Sequence, residues 1–321
     1  MRRHGRITGA VVVATVVSGL LAGCAPWLAA NPQFATDSAR NPDDGPTTSA
    51  AAGGPPEILA PRNDLAWRDC TAKGFGDAGI PAIPGVVMEC ADYDADLDPV
   101  SGATGTLSIG VVRARSVQTP PDAGPLVFTT GTDLPSSLQL PVWLARSGAD
   151  VLRARPIVAV DRRGMGLSSP IDCRDEFDRL QMREQTQFTA GDDPVASLQA
   201  ITTTATTGCT DVIAPGDSAY DNARAAEDLE RLRSTWDVPA MALLGIGNGA
   251  QVALAYAGSH PGKVARLVLD SPIPAGVGAE AAAEEQAKAQ QGALAAFATQ
   301  CVAVKCALGP DPLGAVDALL G

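Results

Sequence analysis

From about residue 84 onward, short apolar runs alternate with longer stretches of helical periodicity, the pattern of an α/β protein with a mostly parallel sheet and helices on both faces. Residues 86–92 and 105–115 read as an opening antiparallel pair. Residues 124–130 and 156–161 are near-continuous apolar runs, which a sheet covered on two faces requires. Between Tyr220 and Trp236, Ala225, Leu229, Leu232 and Trp236 recur at helical spacing, with charge on the other face, including Arg224 and Asp228 at i, i+4. That segment is expected to be a crossover helix. A strand over 241–244, a helix over 248–259 and a further strand over 264–270 follow. The Ala, Glu, Gln and Lys content of 279–300 predicts another helix, and Gly309-Pro310-Asp311-Pro312 turns into a last short one.

The beginning of the chain follows a different pattern. Arg2, Arg3 and Arg6 precede an apolar run over 7–20 that is short for a spanning helix, and Leu21-Ala22-Gly23-Cys24 closes it. Residues 1–23 are therefore expected to be a signal peptide, and the ending resembles a bacterial lipobox whose Cys24 takes a diacylglycerol thioether. Residues 24–56 carry only Trp27, Leu28 and Phe34 as large apolar side chains among Ala, Pro, Ser, Thr, Gly, Asp and Asn. Such a segment cannot bury enough surface to offset its ordering entropy, so it reads as a flexible tether. The expected location is the extracytoplasmic face of the cell membrane, held through lipidated Cys24, or the exterior if lipidation fails.

Composition narrows the function classes. The chain has 321 residues, 45% of them hydrophobic, and a net charge of −12, more negative still once the three leading arginines are set aside. An acidic surface of this kind repels phosphate backbones and anionic headgroups, so nucleic-acid binding is not expected. With His4 and His260 as the two histidines and no H-E-x-x-H or C-x-x-C pair, no metal site is expected either. Beyond Cys24 the cysteines are six, Cys70, Cys90, Cys173, Cys209, Cys301 and Cys306, an even number that suits an oxidising compartment. Six cysteines allow 15 pairings, among which spacing favours neighbours: 70 with 90, 173 with 209, 301 with 306.

Two motifs carry the chemistry. Asp161-Arg162-Arg163-Gly164-Met165-Gly166-Leu167-Ser168 is a D-x-R-G-x-G-x-S turn directly after a buried strand, and Leu243-Leu244-Gly245-Ile246-Gly247-Asn248-Gly249-Ala250 is followed by Tyr256 and His260-Pro261. Together they resemble the α/β-hydrolase fold, in which a strand enters a sharp G-x-S-x-G elbow and leaves as a helix. More narrowly, Trp67 and Cys70, residues 226–233, Gln286-Ala287-Lys288, Cys301, Cys306 and Leu308-Gly309-Pro310-Asp311-Pro312 resemble exported tripeptidyl-aminopeptidase-like lipoproteins of the prolyl-aminopeptidase class. The resemblance covers roughly residues 60–315. It implies a hydrolase core over 57–274 and the start of a helical cap over 275–321. It also implies two later strands bearing the triad acid and base, so the fold is expected to be C-terminally incomplete, with the strand at 264–270 on a sheet edge.

The departures from that pattern set the functional expectation. The resemblance implies a nucleophilic Ser at the elbow's centre, where this chain has Gly247, while Gly245 and Gly249 keep the small-residue spacing. No Oγ means no acyl-enzyme there. The implied oxyanion loop reads Thr130-Gly131-Thr132, followed by the carboxylate of Asp133. His260, just before Pro261, is expected to be a surface turn residue rather than a general base. Ser168, Ser169 and Ser271 read as turn and cap residues, Asp161, Arg163, Gly164 and Gly166 as the structural turn, and Asp270 as a strand-end acceptor. The expectation is an exported homologue of serine peptidases and esterases that lacks turnover, uses no cofactor and binds a peptide or small ester. Two alternatives stand beside it. One is an active hydrolase using another nucleophile or C-terminal residues outside this chain; the other is a dinucleotide site at Gly245, Gly247 and Ala250, with Asp270 for the ribose hydroxyls.

Overall fold

Successive residues of a strand point to opposite faces of a sheet, and here that alternation sorts the core into two layers. The computed structural model describes residues 54, 56–99, 101, 103–131, 134–184, 193–273 and 276–320. The expected signal segment, Cys24 and the tether as far as Gly53 lie outside the described residues. The chain opens with β1 (Arg68–Asp69), α1 (Thr71–Asp77) and a long hairpin of β2 (Val86–Asp98) and β3 (Ala103–Ser116). It continues through β4 (Leu126–Thr129), α2 (Ser136–Ser147), β5 (Ile157–Val160), α3 (Glu176–Glu184), α4 (Pro194–Ile213) and α5 (Asn222–Trp236). The last elements are β6 (Met241–Ile246), α6 (Gly249–Ser259), β7 (Val264–Asp270), α7 (Ala279–Ala303) and α8 (Pro312–Leu320).

The strands form a sheet of order β1-β2-β3-β5-β4-β6-β7. β1, β2, β3 and β5 pair antiparallel, whereas β5, β4, β6 and β7 run parallel. On one face Val111, Val127, Val158, Val160 and Leu243 pack under Leu229, Leu232 and Trp236 of α5 and Val252 and Tyr256 of α6. On the other, Val112, Phe128, Ile157, Ala159 and Leu244 pack with Phe75 of α1 and Leu140 and Leu144 of α2. This is the α/β class that the apolar patterning predicts, and every strand expected from it is present. From β4 the chain moves to β5 on one side and later to β6 on the other, so the sheet reverses its winding beside β4. Crevices at the carboxyl ends of strands flanking such a reversal are where open α/β sheets place their ligand sites.

The sequence gives weaker signals for α1, α2, α3 and α4. Pro141 sits inside α2 and reads as a breaker. α4 is rich in Thr, which is equally at home in strands, although Asp193, which accepts from the Val195 and Ala196 amides, and Pro194 mark its start. The disulfides are Cys70–Cys90, Cys173–Cys209 and Cys301–Cys306, with Cα separations of 5.7, 4.8 and 5.0 Å, inside the range that bridging permits. They are the three neighbour pairings. β7 ends the sheet, no described strand pairs with its outer side, and Val268 is 51% exposed there.

One expectation is overturned. Asp228 does not pair with Arg224 on a solvated face. It is buried against Arg163, while Arg224 bonds Asp98 and Asp221. The guanidinium delivered by the turn after β5 sits beneath α5 and needs a buried counter-charge, and Asp228 is the acid on the face of α5 turned toward it.

Candidate functional site

Three segments leave the carboxyl ends of β4, β5 and β6, and their conformations follow from their sequences. After β6, Gly247 adopts φ +55° in the left-handed region, which a residue without Cβ reaches at little cost. Its amide donates to the Asp270 carbonyl at 2.9 Å, which ties the elbow to the end of β7. α6 begins two residues later, with the Ala250 amide donating to the Gly247 carbonyl at 3.2 Å. Gly249 is required by close approach: a Cβ there would lie 2.0 Å from the Thr129 carbonyl oxygen. Gly245 is pressed against Ala250 and Gly131 against Asn248, whereas the space where a Cβ on Gly247 would point is open. The turn thus has an elbow's shape with no side chain at its tip.

The segment after β5 is built oppositely, from buried polar side chains. The Asp161 carboxylate accepts from the Ser137 amide and hydroxyl, both at 2.7 Å, and from the Leu167 amide at 2.8 Å. Burial pushes its pKa above the ordinary carboxylate range, against the pull of those bonds. Gly164 and Gly166 turn the chain at φ +81° and +54°, and Gly166 lies against the Asp161 carboxylate. Ser168 donates its hydroxyl to the Asp161 carbonyl at 2.7 Å and accepts from the Gly110 amide at 2.9 Å. Arg163 makes two bonds to Asp228, at 2.6 and 2.8 Å, and donates to the carbonyls of Asp96, Leu97 and Ala219. Burial raises the Asp228 pKa and Arg163 partly offsets it. Tyr93 adds a hydroxyl bond to the Asp228 carbonyl at 2.8 Å. Asp228 is the member of this network that the sequence pattern hides, because an acid at helical spacing reads as solvated.

In the loop after β4, the Thr130 amide donates to the Ser136 hydroxyl at 3.1 Å and the Thr130 hydroxyl donates to the Leu134 carbonyl at 2.9 Å. That amide is already committed within the loop. Gly131 adopts φ +85°; Thr132 and Asp133 lie outside the described residues.

His260 is not a bare surface residue. It caps the far end of α6, half-buried, with Nε2 2.9 Å from Glu227 Oε1 and its ring 5.2 Å from that of Tyr256. α6 holds eleven residues, which at a rise of about 1.5 Å each puts this imidazole roughly 16 Å from the elbow. Ser169 accepts from the Ser108 amide, and Ser271 donates to the Asp270 carboxylate at 2.9 Å. Among the described residues, then, the elbow's central position, Gly247, bears neither a hydroxyl nor an imidazole, and no cluster of His, Cys, Asp and Glu could hold a metal ion.

Sheet order, elbow and reversal point define an α/β-hydrolase architecture, and a model of the alpha/beta hydrolase fold matches residues 140–310. The chain belongs to the α/β-hydrolase fold family. Among curated proteins it is similar to serine protease Hip1 of Mycobacterium tuberculosis, 28% identical over 164 residues that make up 50% of this chain and 32% of that protein. It is also similar to a tripeptidyl aminopeptidase of Streptomyces lividans, 23% identical over 83% of this chain and 48% of that protein. The chain thus spans between a third and a half of the length of these relatives. Of solved structures, Cfl2 from Burkholderia cenocepacia aligns with a TM-score of 0.32 at 16% identity over 59% of this chain and 46% of that one. The fold assignment rests on the sheet order and the family match. Gly245, Gly247 and Gly249 lie at and just after the end of the sixth strand, whereas a dinucleotide fingerprint ordinarily follows the first strand of its domain.

Proposed function

We propose that this chain is an exported, lipid-anchored homologue of α/β-fold serine peptidases in which the elbow binds but does not turn over. The carrying observation is Gly247: the backbone takes the elbow's left-handed conformation, and the position from which a nucleophile would project has no side chain. Acyl transfer on this fold needs a hydroxyl, an imidazole within hydrogen-bond reach and an acid to orient it. His260 is bonded to Glu227 at the other end of α6, and the Thr130 amide is occupied by Ser136. The elbow keeps its backbone form without those groups, and the ligand we propose for it is a peptide or small ester. The peptidase relatives support the ligand class, and Leu21-Ala22-Gly23-Cys24 supports the anchor. No described helix is long and apolar enough to cross a membrane; in this reading the attachment is the lipid on Cys24.

The test uses the mature, membrane-extracted protein with tripeptidyl and short-acyl ester substrates. Hydrolysis should not exceed buffer, and the protein should partition into detergent with a diacylglycerol-modified Cys24. Turnover that survives repurification would refute the catalytic half of the reading, and an unmodified Cys24 on the mature chain would refute the anchor.

A further inference from the structure

A second cleft, of about 300 Å³, opens at the other end of the sheet from the elbow, beside Pro125 and Pro156, which immediately precede β4 and β5. Its walls are rings: the indoles of Trp67 and Trp236 and further prolines, Pro61, Pro120 and Pro121. Such walls are apolar and rigid, so they lose little entropy when a ligand is ordered against them. Arg113 and Arg115 sit two residues apart on β3 and therefore on the same face. Arg113 lies 4.3 Å over Trp67, donates from Nε to Glu89 and from Nη1 to Asp64, and Arg115 donates from Nε and Nη2 to Glu89.

Both oxygens of Glu89 and both of Asp64 are taken, Asp64 also accepting from the Trp67 indole and the Leu65 amide. Among the described residues Nη2 of Arg113 and Nη1 of the partly exposed Arg115 make no bond within the protein, and the buried indole nitrogen of Trp236 has no acceptor. Buried donors are rarely left unmatched. We propose that this cleft binds a carboxylate carried on a compact apolar body, the carboxylate taking the spare N–H groups of Arg115 and Arg113 and the body packing on the proline and indole rings. Planar bidentate donors suit a carboxylate, and the volume lies at the small end of ligand sites, enough for one aromatic or aliphatic group. Free carboxylic acids and the C-terminal residue of a peptide share this chemistry. The cleft lies at the opposite end of the strands from Gly247 and does not depend on the reading of the elbow.

The experiment is calorimetric titration of the full chain with 3-phenylpropanoate and its amide, and with the tripeptide Ala-Ala-Phe and its C-terminal amide. Each acid should bind saturably and at least about tenfold more tightly than its amide, and Arg115→Gln should weaken acid binding about tenfold. Arg115 is 44% exposed at the surface end of the cluster, so its replacement leaves the core intact. The tighter of the two acids tells free acid from peptide terminus, and either supports the site. No saturation by about 10 mM, equal binding of acid and amide, or full-strength binding to Arg115→Gln would overturn the proposal.

Discussion

The turn after β5 and the elbow after β6 are neighbours at the carboxyl end of one sheet, yet they are held by opposite means. Asp161, Arg163 and Ser168 are almost wholly buried and hydrogen-bonded to five separate parts of the chain: β2, β3, α2, the turn at Ala219 and α5. At the elbow the close contacts are made through glycines instead. Gly245, Gly247 and Gly249 let backbone pack on backbone, and the tip is bare. The difference separates two demands that a hydrolase site combines. Side chains fix the frame in one place, glycines fix the elbow's conformation in another, and the second persists here with no side chain at the elbow's centre.

Breaking the frame should have the largest effect. Arg163→Met leaves Asp228 buried without its partner, and loss of one member of a buried pair costs about 3–5 kcal/mol; urea denaturation should report a drop of that size. At the elbow, Gly249→Ala should cost about 1–3 kcal/mol, because its methyl group would overlap the Thr129 carbonyl. Gly247→Ser meets open space and carries only the conformational cost of a left-handed residue, about 1 kcal/mol by the same assay. Equal losses at 247 and 249 would contradict the distinction between a packed flank and an empty tip.

The smallest effect is a slope with pH. The folded-state pKa of Asp161 is raised by burial, so its contribution to stability is full below its unfolded-state value and declines as pH rises through the folded one. The stability gap between wild type and Asp161→Asn should therefore narrow as pH rises above the unfolded-state carboxyl value of about 4. The corresponding gap for Gly247→Ser should stay flat, because residues 245–250 contain no titratable side chain.

How far the sequence speaks differs along the same line. Apolar runs and glycine spacing are local signals, and from them strands β2 to β7, the elbow and the crossover helix α5 are legible, whereas the two-residue β1 is too short to leave such a signal. The neighbour disulfides follow the spacing of the cysteines. Helices α2 and α4 are hidden by an internal Pro141 and by runs of Thr, since tertiary packing outweighs local preference there. The Arg163–Asp228 pair is a contact over 65 residues. Periodicity assigns Asp228 to a helix but not to the buried side, because only the arrival of Arg163 from another element makes that side tolerable for an acid. The half-burial of His260 against Tyr256 and Glu227 is likewise a product of two helices meeting.

The central claim is that an intact elbow here carries no nucleophile. Intact-protein mass spectrometry after prolonged incubation of the mature wild-type chain with a fluorophosphonate tests it most directly. The predicted result is a single species at the unmodified mass. A stoichiometric phosphonyl adduct on any serine would contradict it, since such a residue would have to be activated by a base that the described arrangement of Gly247, Thr130 and His260 does not provide.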